Sequence, residues 1–213
     1  ASEPAESSPA SLPVEILESA ARGELQRVVK WLRKGGLIDA FGSSTTPGGQ
    51  LLTTTLLHTA AANDHLELVR ELLKRGASVD LQSNLGSTAL MSAAGQGHLS
   101  IVLVLLQHSA NPDLQNIDGG TALMWAAHEG HDACVQALLR AKANTELLNE
   151  KGRTALQYAK SNGHTTTAKF IRQHISCLSL GLGVALCAVV PLAWPWVVLS
   201  VVLGAIATVA FSR

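Results

Sequence analysis

Four stretches decide the fold: TLLHTAA at 55–61, TALMSAA at 88–94, TALMWAA at 121–127 and TALQYAK at 154–160. Each begins 33 residues after the one before it. Ten residues after each leading threonine stands a histidine: His65, His98, His131 and His164. Asp64 precedes the first of these and a glycine precedes the other three. Apolar residues at helical spacing follow in LELVRELLKRGASVD (66–80), LSIVLVLLQHSANPD (99–113) and DACVQALLRAKANTE (132–146). A fixed period of this length, with two helical stretches in each copy, predicts helix pairs that bury their apolar faces only by stacking on their neighbours.

The same pattern extends toward the N-terminus. VEILESAARGELQRVVKWLRKGG (14–36) reads as a further helix pair, with Ala20–Ala21 matching Ala60–Ala61 at an offset of 40. The seven extra residues fall in FGSSTTPGGQLLTTT (41–55), read as a long polar loop around Pro47-Gly48-Gly49. The expected architecture is all-α: an N-terminal cap plus four repeats over 13–174, with a loop insertion at 41–54. Residues 1–12, rich in Ser, Pro, Ala and Glu, are expected to be a flexible segment. The first residue is Ala rather than Met, which fits a removed initiator or a cleaved targeting peptide.

With the period, the threonine and the glycine–histidine pair in place, the chain resembles the ankyrin-repeat family, whose signature is T-P-L-H-x-A-A followed by G-H. The resemblance implies two antiparallel helices per repeat, joined by projecting turns, in a curved solenoid. His58 keeps the family's TxxH position, which braces adjacent turns; Met91, Met124 and Gln157 replace it in later copies. The wording of ELVRELLKRGASVDL, LLQHSANPDLQ, VQALLRAKANTELLNEKGRTALQYA and TAKFIRQH is similar to arrays of marine unicellular algae with secondary plastids.

In that family, partners dock on the turn tips and the inner-helix face. Carried over by position, the tips are Asn84, Leu85 and Ser87; Ile117, Asp118 and Gly120; and Glu150, Lys151 and Arg153. The inner-helix ends are Ala62–Asn63, Gly95–Gln96, His128–Glu129 and Ser161–Asn162. Trp125 and Tyr158 stand at equivalent positions in successive repeats and suggest an aromatic step, either exposed on the inner face or packed between inner helices. The His ladder does not read as a metal site, because histidines one repeat apart are too far from each other to share an ion. Each is expected to fix the turn between its two helices. Arg27, Lys30 and Lys34 share a face of the first outer helix, either a solvated cap or a contact for anionic groups.

A formal net charge of zero and 15 % charged residues exclude nucleic-acid binding by bulk charge. No nucleophile elbow, phosphate loop or metalloprotease motif is present, so the chain is expected not to be an enzyme and to have no small-molecule substrate. The three cysteines, Cys134, Cys177 and Cys187, show no paired spacing and are expected to be unbridged apolar filler.

From Gln173 to Ser212 no Lys, Arg, Asp or Glu occurs. Within the tail, 175–213, residues 175–211 are too long for one membrane span and just long enough for two short ones, with Pro191 and Pro195 breaking the run. The expectation is a two-helix transmembrane hairpin, 175–192 and 196–211. Arg172 and Arg213 would flank it on one side, and Trp194 and Trp196 would sit at the interface. The outer helix of the last repeat should continue into it or bend near His174. The spans lack His, Asn, Gln and Glu, so side-chain chlorophyll ligation is not expected. Peripheral contact with chlorophyll, carotenoid or lipid is compatible with the hairpin. Together with the algal resemblance, this predicts an integral scaffold of a plastid thylakoid complex, such as a photosystem with its antenna, with the array on the stromal side. Its partners would be other protein subunits and the lipid bilayer. The alternative is a free membrane-tethered adaptor that recruits a soluble protein.

Overall fold

The computed structural model describes residues 12–45, 49 and 51–179. The chain divides into two compact units, 1–172 and 173–213. The first unit contains five helix pairs in sequence order: α1 (Val14–Ala21) with α2 (Leu25–Arg33), α3 (Leu56–Ala62) with α4 (Leu66–Lys74), α5 (Ala89–Gln96) with α6 (Leu99–Gln107), α7 (Ala122–Glu129) with α8 (Asp132–Arg140), and α9 (Ala155–Ser161) with the start of α10 (Thr165–Ser179). The odd-numbered helices pack each on the next, and α4, α6 and α8 form a parallel outer row.

The apolar pattern explains this stacking. Ala60, Ala61, Ala93, Ala94, Ala126 and Ala127 are fully buried, and their small side chains let the inner helices approach closely. The outer helices bury the i, i+1 and i+4 positions: Leu68, Val69 and Leu72; Ile101, Val102 and Leu105; Cys134, Val135 and Leu138. One face of each outer helix thus fills the layer between repeats. In the last repeat the equivalents are Thr167, Ala168 and Ile171. Thr167 Oγ1 donates to the Asp132 carboxylate on α8, so a hydrogen bond stands where the other repeats have apolar contact.

Each inner helix of the four regular repeats starts at its threonine. Thr88 and Thr121 hydroxyls accept the backbone N–H of Met91 and Met124. Thr154 and Gln157 form a reciprocal capping box. His58 completes the equivalent box at Thr55 and also reaches the next repeat: its Nε2 lies 2.8 Å from the Ser87 carbonyl. A carbonyl only accepts, so Nε2 carries the proton and Nδ1 accepts from Thr55 Oγ1 at 2.9 Å. Burial holds the His58 pKa below its ordinary 6.5. Gln157 keeps the box, and among the described residues it makes no such link.

The histidine ladder does more than fix turns. His65, His98, His131 and His164 each direct Nε2 at a carbonyl of the preceding repeat: Ala21 at 2.7 Å, Ala62 at 3.1 Å, Gly95 at 3.1 Å and His128 at 2.9 Å. The rings lie on glycines of that repeat. A Cβ on Gly23, Gly97 or Gly130 would sit 2.5, 2.7 or 2.4 Å from the His65, His131 or His164 ring, and all three have positive φ. Asp64 takes this place in the second helix pair, with φ +60 and its carboxylate 3.6 Å from His98 Nδ1. A second ladder runs outside: the carboxylates of Asp39, Asp80 and Asp113 accept the N–H of Ser78, Asn111 and Asn144 in the following copy.

The structure corrects two expectations. The array is helical as expected, but the insertion read as a loop contains an antiparallel hairpin, β1 (Gly42–Thr45) paired with β2 (Leu51–Thr54). Its Ser/Thr runs and the Pro-Gly-Gly between them are hairpin chemistry rather than loop chemistry. Cys177 is disulfide-bonded, against the expectation of three unbridged cysteines. The spacing argument excluded a bridge only between two cysteines on one helix. Cys134 is free and buried in the core, where desolvation raises its thiol pKa.

α10 passes His174 unbroken and is helical to Ser179. Among the described residues no helix is long and apolar enough to cross a membrane. The two helices expected over 175–211 lie, beyond Ser179, outside the described residues, as do Trp194, Trp196 and Arg213.

Two measurements test this packing. Gly130→Ala forces a positive φ on a β-carbon and displaces the His164 ring. Together these should cost about 2–3 kcal/mol. Lys142→Gly should stabilise by about 1 kcal/mol, because Lys142 holds φ +63 at the end of α8. Thermal or urea unfolding reads both. For His58, whose folded pKa lies below the unfolded one, stability is complete above pH 6.5 and falls as pH drops from 6.5 through the lowered folded value. The melting temperature should therefore fall between pH 7.5 and 5.5, and His58→Gln should shrink that fall.

Candidate partner-binding surface

The tips between repeats are closed four-residue turns. Asn116 Oδ1 accepts the N–H of Asp118 and Gly120, and Asn149 Oδ1 accepts those of Lys151 and Arg153. Ser83 Oγ does the same for Leu85 and Ser87. Gly86, Gly119 and Gly152 sit at φ +71, +72 and +65, which these turns require. The tips also join each other: Ile117 N–H donates to the Leu85 carbonyl, and Glu150 N–H to that of Asp118. Gln82 and Gln115 side chains each bridge to the next copy, at the carbonyls of Gln115 and Leu148. The tip residues therefore form one continuous bonded strip.

Along this strip the sequence-derived residues separate into groups. Asn84 is occupied: its Oδ1 accepts from Thr53 N–H and its Nδ2 donates to the Leu51 carbonyl, binding β2 along its edge. Ser87 lends its carbonyl to His58. Leu85 and Ile117 carry apolar side chains, and Ile117 is 55 % exposed.

Eight of the residues meet in one hollow of about 340 Å³. Asp118, Gly120, Glu150, Lys151 and Arg153 line it from the tips, and Trp125, His128 and Tyr158 from the inner helices. Trp125 and Tyr158 do not form a simple step. His128 stands between them, edge-on to both, at centroid distances of 6.3 and 5.5 Å. Tyr158 is held by Asn149 Nδ2 on its hydroxyl at 2.6 Å, and the Arg153 guanidinium lies 5.9 Å from its ring centre. Tyr158 is thus tied to a tip turn, and Trp125 and His128 are partly exposed.

A second hollow, about 500 Å³, lies on the other side of Trp125. Ser87, Met91, Ser92, Gly95, Gln96, Trp125, Glu129 and His131 line it. Sequence reasoning missed Met91 and Ser92. Comparing equivalent columns would have found Ser92: Thr59, Ser92, Trp125 and Tyr158 share one position, and Ala62, Gly95, His128 and Ser161 another, whereas Met91 stands in the His58 column. The inner face is low in the second and third helix pairs and rises abruptly at Trp125.

Arg172 lies on α10 with its side chain exposed. Asn84 makes both of its side-chain bonds to the insertion. Asn84→Ala should therefore speed hydrogen exchange at the Thr53 amide by at least tenfold and leave the amides of α5 and α7 unchanged.

Comparison with known proteins agrees with this geometry. The family model described as ankyrin repeats (3 copies) matches residues 16–116 and 106–179. No curated protein matches the chain. The match covers more than half of the sequence, and the chain belongs to the ankyrin-repeat family.

Proposed function

We propose, from its membership in this family, that the chain is a protein–protein interaction scaffold. On this reading its inner face, centred on the row Trp125–His128–Tyr158, is where the protein partner docks. The observation that carries this reading is the pairing of aromatic exposure with rigid support: Trp125 is 37 % exposed, while the neighbouring Tyr158 is bonded to the Asn149 tip. Rigid, partly exposed aromatic side chains lose little entropy on binding and supply large contact areas. Asp118, Glu150, Lys151 and Arg153 rim the row with both signs of charge, which favours polar rim contacts with the partner.

The uncharged stretch 173–212 supports the further reading that the scaffold is anchored in a membrane by a helical hairpin. On this reading the chain is a non-catalytic accessory or linker subunit of a large membrane complex. The similarity to algal arrays favours a photosystem–antenna assembly in the plastid thylakoid, with the array on the stromal side. The alternative is a free tethered adaptor.

Mild detergent solubilisation followed by native electrophoresis, with mass spectrometry and an absorption spectrum of each band, separates these readings. Co-migration with a pigmented band of high mass is the expected outcome. A small colourless band overturns the photosystem reading and leaves the adaptor. Trp125→Ala should release the partner from whichever band carries it, since loss of an aromatic anchor costs roughly 2–4 kcal/mol of binding.

A further inference from the structure

The hollow in front of Trp125 has a chemistry different from that of the row behind it. Its floor is Ser92 and Gly95, the smallest side chains in their columns among the third, fourth and fifth helix pairs. One wall is the Trp125 indole, and the hollow falls within the size range of clefts that hold a small group. Among its lining residues the only carboxylate is Glu129, and none is Lys or Arg. The Glu129 side chain is 48 % exposed and is steered by a 2.8 Å contact between its Oε1 and His128 Nδ1. His131 also lines the site, but its Nε2 is engaged at the Gly95 carbonyl. A flat aromatic face with one carboxylate at its rim is complementary to a planar cation.

We propose that this hollow is a recognition pocket for an arginine side chain of the docked partner, with its guanidinium stacked on Trp125 and paired with Glu129. The inference rests on the inner face being the docking surface and adds the chemistry of one contact. Arginine fits better than lysine because a planar guanidinium both stacks on the indole and forks onto a carboxylate, whereas an ammonium offers only a point charge. An acidic partner residue is disfavoured here, since it would face Glu129 without a lining cation.

Gly95 gives an unusually clean test. A Cβ there would meet Trp125 Cβ at 3.6 Å, an ordinary contact, and Gly95 is helical without a positive φ. Gly95→Ala should therefore fold at least as well as the native chain while raising the pocket floor. The probe is acetyl-Ala-Ala-Arg-Ala-Ala-amide, titrated against the full chain in non-ionic detergent and read by the Trp125 indole N–H resonance, assigned by its loss in Trp125→Phe. The citrulline peptide, equal in shape but uncharged, is the control.

The expected result is saturable binding of the arginine peptide, at least tenfold weaker binding of the citrulline peptide, and a tenfold loss in Glu129→Gln. Binding should weaken severalfold in Gly95→Ala and also with added salt. Equal binding of the two peptides, no binding of either, or undiminished binding by Glu129→Gln overturns the arginine pocket. The docking reading fails separately: if Trp125→Ala leaves the native complex intact, the inner face is not the partner surface. If that variant releases the partner while Glu129→Gln does not, the surface stands and the arginine assignment falls.

Discussion

An imidazole that reaches back to the carbonyl at the end of the preceding inner helix recurs at His65, His98, His131 and His164. The rest of the array depends on this contact, because it ties neighbouring copies at the point where each chain reverses between helices. It demands a residue of positive φ beneath the ring, and it leaves almost no room for a side chain there. Glycine meets both demands at 23, 97 and 130. Asp64 meets the first at a cost and draws compensation from His98. Bonds of this kind are local in space and regular in sequence, so the stability of the array is a sum over neighbours rather than the property of one central core.

This division of labour frees other positions for recognition. The capping threonines, the ladder histidines and the tip asparagines satisfy the backbone, and the paired alanines with the outer aliphatic residues satisfy the packing. The columns that begin at Thr59 and Ala62 carry a different residue in every copy, so their content varies without loss of fold. They vary sharply between the third and fourth helix pairs, from Ser92 and Gly95 to Trp125 and His128. The resulting step has a wall, a floor and a carboxylate, all set on rigid helices.

Much of this was legible in the sequence because the period exposes it. The five helix pairs, the threonine starts and the turn glycines follow from spacing and residue type alone. Less legible were the contacts that join copies. That His131 reaches Gly95, or that Asp113 holds Asn144, requires knowing how far one copy is displaced from the next, and no single repeat contains that distance. The hairpin at 42–54 was misread because Ser and Thr are compatible with both loop and strand, and Asn84 on a later turn helps decide between them. At the inner face, Trp125 and Tyr158 were recognisable by type, whereas the small residues that shape the space before Trp125 carry no signal of their own. Their meaning lies in the contrast with the next copy.

The way Asn84 closes the β2 edge has a consequence for how this protein meets other chains. A short strand with open N–H and C=O groups is a template on which another chain can add, and an inserted hairpin would expose such a template during assembly. The carboxamide of Asn84 imitates one peptide unit, offering an acceptor to Thr53 and a donor to Leu51 in the spacing a neighbouring strand would use. A single side chain thereby guards that edge against aggregation, and the array can carry its seven-residue insertion without becoming sticky there.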